Sequence, residues 1–329
     1  MNILNITTSR YDWLAGPGRN RGPATATAFL LIMALALVIG CRPATPEAPA
    51  VLPLPDGERA LAEVIDFIAL GPRDSGTSGA EKAALYLRDR LTALEIEAML
   101  DIFEDPAPIG PATFRNVLGV IPGSGPHWIV LGSHYDTKAG IAPDFIGAND
   151  SGSSTGLLLE LGRVLRAGPR PQHNILLAFF DGEECMERYG PGDGLHGSRH
   201  LAAALRQDGR AALVEAVIII DMIGDRDLTV TIPRNGAPWL TASALRAAAR
   251  ADIRHKFKLL QTNILDDHQP FLDAGMPAMV LIDFEFGSVP GRNDYWHTVE
   301  DTADKLCAGS LRDIGRVVMY MLEELKTFQ

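Results

Sequence analysis

Cysteine, positive charge and internal repetition are all scarce in this chain of 329 residues. Three cysteines do not make a disulfide framework. The absence of an internal repeat excludes a repeat architecture. Lysine and arginine number 30 against 41 aspartates and glutamates, and the net charge of −11 argues against a nucleic-acid partner. An acidic surface favours solubility and also cationic ligands such as peptide N-termini.

One apolar segment stands out at the start of the chain. Residues 24–40 form a hydrophobic run that follows Arg10, Arg19 and Arg21, the layout of an export signal. The run ends in Gly40 and Cys41, which resembles a bacterial lipobox, where a small residue precedes the cysteine that receives a diacylglyceryl group. An uncleaved N-terminal membrane anchor is the alternative, because the run approaches the length of a spanning helix.

Both interpretations place the protein outside the cytoplasm. The lipobox predicts a lipoprotein signal peptide over residues 1–40 and a tether rich in proline and alanine over residues 41–56. The protein is then expected to be a bacterial cell-envelope lipoprotein on the periplasmic side, at the outer membrane. Its contact with the membrane would be the lipid anchor alone.

Two cysteines, Cys185 and Cys307, remain beyond the tether. They could pair in an oxidising compartment, but a partly buried free thiol at Cys185 is an equal alternative. As a metal ligand Cys185 is disfavoured, because neighbouring side chains of an extended segment point to opposite faces and Glu184 precedes it directly.

Residues 57–329 carry the pattern of one α/β domain with a mixed, mostly parallel central sheet flanked by helices. No break in composition divides this region. Helical spacing of apolar residues predicts helices over 57–70, 78–94, 152–167, 197–207, 237–251, 267–274 and 309–327. Short runs rich in β-branched residues predict strands over 97–102, 116–121, 128–132, 175–180, 217–221 and 279–282.

Candidate metal ligands lie in three separate segments of this domain. Asp150 precedes a predicted helix, the pair Glu183 and Glu184 follows a predicted strand, and His297 lies near the C-terminus. One Asp, one Glu and one His suit Zn²⁺ and leave a position open for a substrate. The other carboxylate of the pair is then free for proton transfer beside the metal. Taken alone, Asp150 is better explained as a helix N-cap, because Asp and Ser are common just before a helix.

Several further polar residues follow predicted strands. His134 and Asp136 come after the strand at 128–132, and Asp221 ends the strand at 217–221. The carboxyl ends of parallel strands are where open α/β sheets bind ligands. Each of these residues could also be a hydrogen-bonded strand-end residue without a further role. Three histidines lack such context and are expected to be ordinary surface or core residues: His127, His173 and His255.

Taken together, the polar segments resemble the animal-type, zinc-dependent glutaminyl-peptide cyclotransferases, which are relatives of the zinc aminopeptidases. The resemblance covers the whole of residues 57–329 and implies a zinc-exopeptidase-like fold. It is carried by Ser133–Lys138, Phe145–Ser151, Asp181–Glu184, Leu195–Leu201, Asp266–Leu272 and Trp296–Thr298.

The resemblance implies a role for each matched residue. Asp150, Glu184 and His297 would bind one zinc ion, and Glu183 would be the general base and acid. Asp221 and Asp266 would form a carboxylate network around Glu183. Trp296 would form a wall of the substrate pocket, and Tyr189 lies where the animal enzymes have another aromatic residue.

The implied reaction converts the N-terminal glutamine of a peptide or protein to pyroglutamate and releases ammonia. Two alternatives remain at this point. A zinc aminopeptidase would use Glu183 to activate water and would bind two zinc ions, with His134 and Asp221 as ligands of the second. A surface lipoprotein that binds peptide or metal without turnover would be favoured by a missing ligand or base, but the motifs are complete.

Overall fold

The structure is a computed structural model, and it describes residues 53–328. The predicted signal peptide over 1–40, the lipidation site Cys41 and most of the tether over 41–56 lie outside the described residues. Within residues 53–328, no helix combines the length and the apolar character needed to cross a membrane.

An eight-stranded sheet forms the centre of the domain, in the order β1-β2-β4-β3-β5-β8-β6-β7. β3, β4, β5 and β8 form a parallel core, β1 and β2 extend one side as an antiparallel hairpin, and β8 pairs with β6 antiparallel. The predicted mixed, mostly parallel sheet is confirmed. The strands are β1 Glu97–Ala107, β2 Gly110–Ile121, β3 Trp128–His134, β4 Asn174–Phe180, β5 Val214–Asp221, β6 Val230–Ile232, β7 Phe257–Leu259 and β8 Ala278–Ile282.

Seven α-helices flank the sheet in the described part of the chain, and all seven are predicted by the apolar spacing. Asp56 and Thr77 cap the first two, since each side chain accepts two backbone N–H groups of the first turn. The helices are α1 Gly57–Ile68, α2 Ser78–Ala93, α3 Ser154–Ala167, α4 His196–Gln207, α5 Pro238–Arg250, α6 His268–Asp273 and α7 Ala308–Glu324.

Both faces of the central strands are covered. Phe179 of β4 belongs to the main core, which α1, α2, α3, α5 and α7 complete. The next residue, Phe180, points to the other face and packs against Phe271 of α6, with ring centroids 6.0 Å apart. β3 is therefore buried along its whole length, as expected of a parallel strand between two helical layers.

Two strands, β6 and β7, are not predicted by the sequence pattern. Each has only three residues, and both lie at the edge of the sheet beyond β8. A run of three residues is too short to show the alternation by which a strand is recognised. The hairpin strands β1 and β2 also extend further than predicted, as far as the turn at residues 107–110.

Candidate active site

The candidate residues meet at the carboxyl ends of the parallel strands. β3 ends at His134, β5 ends at Asp221, and Glu183 and Glu184 follow the end of β4. Because β4, β3 and β5 are neighbours in that order, these ends share one edge of the sheet. Asp150 joins them from the segment that leads into α3. This is the edge at which open α/β sheets carry their sites.

One cluster consists of Asp150, Glu184 and His297. His297 Nε2 lies 2.8 Å from Glu184 Oε1 and 3.3 Å from Asp150 Oδ2. His297 has a φ of +55°, in the left-handed region that non-glycine residues seldom adopt. Such backbone strain is tolerated where the surrounding structure holds a side chain in a required place.

A second cluster shares Asp150 with the first. His134 Nε2 lies 3.1 Å from Asp150 Oδ1 and 3.3 Å from Asp221 Oδ1, and all three residues are buried. Asp150 thus turns one carboxylate oxygen toward each histidine. Gly147 and Ser153, and not Asp150, occupy the N-cap positions of the two helical segments here, so the N-cap alternative has no support in the geometry.

These two groups have the chemistry of a metal site. In each, one donor atom from every residue lies within 4.8 Å of the others. Glu184 Oε2 is buried without a hydrogen-bond partner among the described residues, and the nearby Lys138 Nζ is 3.9 Å away. A buried carboxylate oxygen with a free lone pair requires a proton or a cation. A metal ion therefore fits the residues present.

The pKa values report the crowding of charge in this cluster. Burial raises the pKa of Glu184 to about 7, with repulsion from Asp150 next in size. Burial lowers the pKa of His297, but hydrogen bonds to Asp150 and Glu184 outweigh it and bring the value to about 10. Burial alone would raise the pKa of Asp150, but hydrogen bonds to His134 and His297 outweigh it, so the pKa lies below its usual value.

Glu183 is separate from the clusters and faces the same space. Its side chain is buried, and both carboxylate oxygens accept from the Tyr189 hydroxyl, at 3.2 and 3.0 Å. Burial raises the pKa of Glu183 well above its usual value; His134 opposes this, and Glu184, Asp267 and Asp266 reinforce it. A carboxyl group with a raised pKa can take up and return a proton near neutral pH.

Two aspartates that hold the site together have no assigned role in the sequence-based prediction. Asp136 accepts the backbone N–H groups of Glu183 and Glu184, at 3.2 and 3.1 Å. Asp301 accepts the backbone N–H groups of Asn149 and Asp150, at 2.6 and 3.0 Å. The spacing of His134 and Asp136 suggests a carboxylate that orients the His134 ring, and Asp136 Oδ1 does lie 3.3 Å from His134 Nδ1, but the spacing does not predict the contacts with Glu183 and Glu184. Nothing in the sequence around Asp301 marks the second.

A cavity of about 330 Å³ brings the predicted residues together. Its walls are largely apolar, and Trp296 forms one of them, tilted against Phe284 with ring centroids 5.0 Å apart. Trp296 also stacks on His297, with centroids 4.0 Å apart. The polar lining consists of Asp150, Glu183, Glu184, Tyr189, Asp221, Thr262, Asn263, Asp266 and His297. His134 does not line the cavity itself, but it contacts Asp150 and Asp221, which do.

A mixed, mostly parallel α/β sheet flanked by helices, with carboxylate and imidazole groups clustered at the carboxyl ends of its strands, has the zinc-exopeptidase-like fold. Within that class, the chain belongs to peptidase family M28, whose sequence profile matches residues 116–322.

Individual relatives narrow the comparison. A glutaminyl-peptide cyclotransferase of Drosophila melanogaster is 29% identical, and the alignment covers 80% of each chain. A glutaminyl-peptide cyclotransferase-like protein of Bos taurus is 31% identical over 77% of this chain and 72% of its own. The crystal structure of an Acidobacteriales bacterium glutaminyl cyclase superimposes with a TM-score of 0.77 at 34% identity, over 87% of this chain and 99% of that one. The resemblance predicted from the motifs is confirmed.

Proposed function

We propose that the protein is a glutaminyl-peptide cyclotransferase, which converts an N-terminal glutamine to pyroglutamate and releases ammonia. The observation that carries the proposal is the placement of Glu183, a buried carboxyl group with a raised pKa, beside the cluster of Asp150, Glu184 and His297 in one small cavity. The similarity to cyclotransferases over most of the chain supports the same reaction.

The proposed cofactor is one zinc ion held by Asp150, Glu184 and His297. Two carboxylate oxygens and one imidazole nitrogen are ligands that zinc accepts, and three protein ligands leave its fourth position open. When bound, zinc would supply a Lewis acid for the γ-amide carbonyl of the substrate. Trp296 and the apolar walls would enclose the glutamine side chain and exclude water from it.

The proton path uses Glu183. The free α-amine of the substrate attacks its own γ-amide carbon, and the new C–N bond closes a five-membered ring. A carboxylate oxygen of Glu183 takes the proton that the attacking amine loses and returns it to the amide nitrogen, which leaves as ammonia. The Tyr189 hydroxyl, at 3.0 and 3.2 Å from the two oxygens, would hold the carboxylate in place. Because the attack is intramolecular, orientation of the substrate supplies much of the rate.

A zinc aminopeptidase is the second candidate, and one observation favours it. His134, Asp150 and Asp221 form a second ligand cluster beside the first, and two adjacent metal sites are a common arrangement for hydrolysis. In that enzyme Glu183 would activate water in place of the substrate amine. The names of the relatives support the cyclotransferase.

A panel of peptides tests the proposed substrate. Ammonia is expected from a peptide that starts with glutamine, and none from a peptide that starts with leucine, which has no γ-amide. An asparagine-starting peptide should also be inert, because its shorter side chain would have to close a strained four-membered ring. Acetylation of the glutamine α-amine should abolish the reaction by removing the nucleophile. Ammonia from the acetylated peptide would contradict the cyclisation.

We also propose that the enzyme acts outside the cytoplasm on peptides or proteins with a free N-terminus, attached to the membrane by a lipid at Cys41. Only the sequence of the first 41 residues supports this part. Cys41→Ala is expected to prevent lipid attachment and to move the protein from the membrane to the soluble or unprocessed fraction. Detergent partitioning and the mass of the mature N-terminus measure it. A lipidated Cys41→Ala protein would exclude the lipobox.

A further inference from the structure

Two histidines without an expected role, His127 and His173, lie side by side at the amino ends of neighbouring strands. Trp128 of β3 pairs with Asn174 of β4 in parallel register, so the residues just before them, His127 and His173, share one end of the sheet. Asn174 fixes this arrangement, since its backbone N–H and its side-chain amide both donate to the His127 carbonyl oxygen, at 2.9 and 3.2 Å.

A third residue, Glu215, reaches the same place because of an irregularity in β5. Trp128 pairs with Val214, whereas the next residue, Ile129, pairs with Ala216. Glu215 is therefore the additional residue of a β-bulge, which lies opposite no partner of its own. Bulges re-aim side chains at the ends of sheets. The bulge brings Glu215 Oε2 to 2.7 Å from His173 Nε2.

The three side chains have the composition and spacing of a metal site. One donor atom from each of His127, His173 and Glu215 lies within 4.8 Å of the others. His173 is only 6% exposed, and its second ring nitrogen, Nδ1, is buried with no hydrogen-bond partner among residues 53–328. His127 is exposed and the Glu215 side chain is 40% exposed, so both can adjust to an ion.

We propose that His127, His173 and Glu215 form a second zinc site, distinct from the candidate active site. Two imidazole nitrogens select zinc or a similar transition metal over calcium and magnesium, which prefer oxygen ligands. Three protein ligands at the surface leave one position for water. The three residues lie at the amino ends of β3, β4 and β5, so a bound ion would cross-link these strands and stabilise this end of the sheet.

The two zinc regions cannot share an ion. The active-site residues follow the carboxyl ends of the same strands, and β3 is seven residues long, so roughly 20 Å separates its two ends. Because the two sites are separate, the number of zinc ions per chain does not by itself distinguish a one-zinc from a two-zinc mechanism. Two zinc ions per chain would be expected from a one-zinc active site together with the His127 site, and would not by themselves indicate a two-zinc peptidase.

Zinc binding by single-residue variants tests the site without relying on the proposed enzyme activity. His127→Ala is expected to lower the zinc content after equilibrium dialysis by one ion per chain, and to abolish the part of the zinc-dependent rise in Tm that this site contributes. Glu215→Gln, which keeps the side-chain shape, should lower the zinc affinity of this site by at least about tenfold. Loss of a residue that only hydrogen-bonds to a metal ligand can already have an effect of that size. His255→Ala is the matched control, because His255 is exposed and lies in no ligand cluster of the described residues.

The outcome is independent of catalysis. His127→Ala and Glu215→Gln should keep the wild-type turnover of a glutamine-starting peptide, since both residues lie at the far end of the sheet. Wild-type zinc content in both variants at the same free zinc concentration would overturn the proposal and leave His173 and Glu215 as a plain ion pair. Loss of the ion in His255→Ala as well would overturn it too, by showing non-specific binding at surface histidines. A further outcome is that the wild type does not convert glutamine-starting peptides while His127→Ala, unlike His255→Ala, binds one zinc ion fewer. That result would refute the proposed reaction and support the zinc site.

Discussion

Glu183→Gln is expected to fold, to bind zinc as the wild type does, and to lose turnover by a factor of about 10²–10⁴, the contribution typical of a general base. Glutamine has almost the same shape as glutamate and can still accept from the Tyr189 hydroxyl. It cannot carry the proton from the attacking amine to the leaving nitrogen. The proposed ligands Asp150, Glu184 and His297 are unchanged. Initial rates on a glutamine-starting peptide, with zinc measured on the same sample, test the expectation.

Glu187→Gln is the matched control for this substitution. It makes the same chemical change four residues along, at an exposed side chain that does not line the cavity, and it should leave the rate unchanged. Turnover of Glu183→Gln within a few-fold of the wild type would contradict the role of Glu183. Loss of zinc together with activity would assign Glu183 to metal binding and not to proton transfer.

Glu184→Ala and His297→Ala are each expected to lose zinc and activity together. Each would remove one of only three protein ligands of the proposed active-site ion, and three is the smallest set that holds a catalytic zinc. Each also removes one side of the 2.8 Å contact between His297 Nε2 and Glu184 Oε1, so a polar group of the site loses a partner. Zinc is best counted in a His127→Ala background, so that an ion at the other cluster does not obscure the loss.

Asp301→Asn gives a graded comparison in the same assay. Asp301 accepts the backbone N–H groups of Asn149 and Asp150 with its two oxygens. An asparagine side chain has only one oxygen to offer, so one N–H would face another donor and the Asp150 segment would shift. Zinc affinity is expected to fall by about 10–100-fold, as for other residues that orient a ligand.

For the two ligand variants themselves, full zinc content in Glu184→Ala and His297→Ala would refute the ligand assignment.

The sequence predicts the long elements well because their patterns are long. Helix α7 carries apolar residues at helical spacing because one of its faces is buried. The core strand β5 is a nearly continuous apolar run because both of its faces are buried. The edge strands β6 and β7 are short and owe their conformation to pairing with β8 and with each other. Pairing of this kind is a tertiary effect that a local pattern does not contain.

The site follows the same division. Asp150, Glu184 and His297 are recognisable as candidate ligands because zinc chemistry restricts ligands to a few residue types, and because motifs surround them. Asp136 and Asp301 act by accepting backbone N–H groups of distant segments. Any buried acceptor could do this, so the residue type alone carries no signal. His127 and His173 are 46 residues apart in sequence, and only the register of β3 and β4 brings them together.

Both cysteines that the structure describes, Cys185 and Cys307, are free thiols. Cys185 is buried, and Lys138 Nζ lies 3.1 Å from its sulfur. Lys138 also donates to the Cys185 carbonyl oxygen. Through these contacts Lys138 helps to position the segment that carries Glu183 and Glu184. The alternative of a Cys185–Cys307 pair has no support in this arrangement.

The identity of the attacking nucleophile is the most direct test of the proposed reaction. The peptide Gln-Phe-Ala is incubated in ¹⁸O-labelled water with the wild type, with Glu183→Gln as the blank, and the products are read by mass spectrometry. Attack by the substrate's own amine predicts one product, lighter than the peptide by about 17 mass units, the mass of ammonia, and free of ¹⁸O. Free glutamine with ¹⁸O in its carboxylate, formed by the wild type and absent from the Glu183→Gln sample, would contradict cyclisation and identify an aminopeptidase.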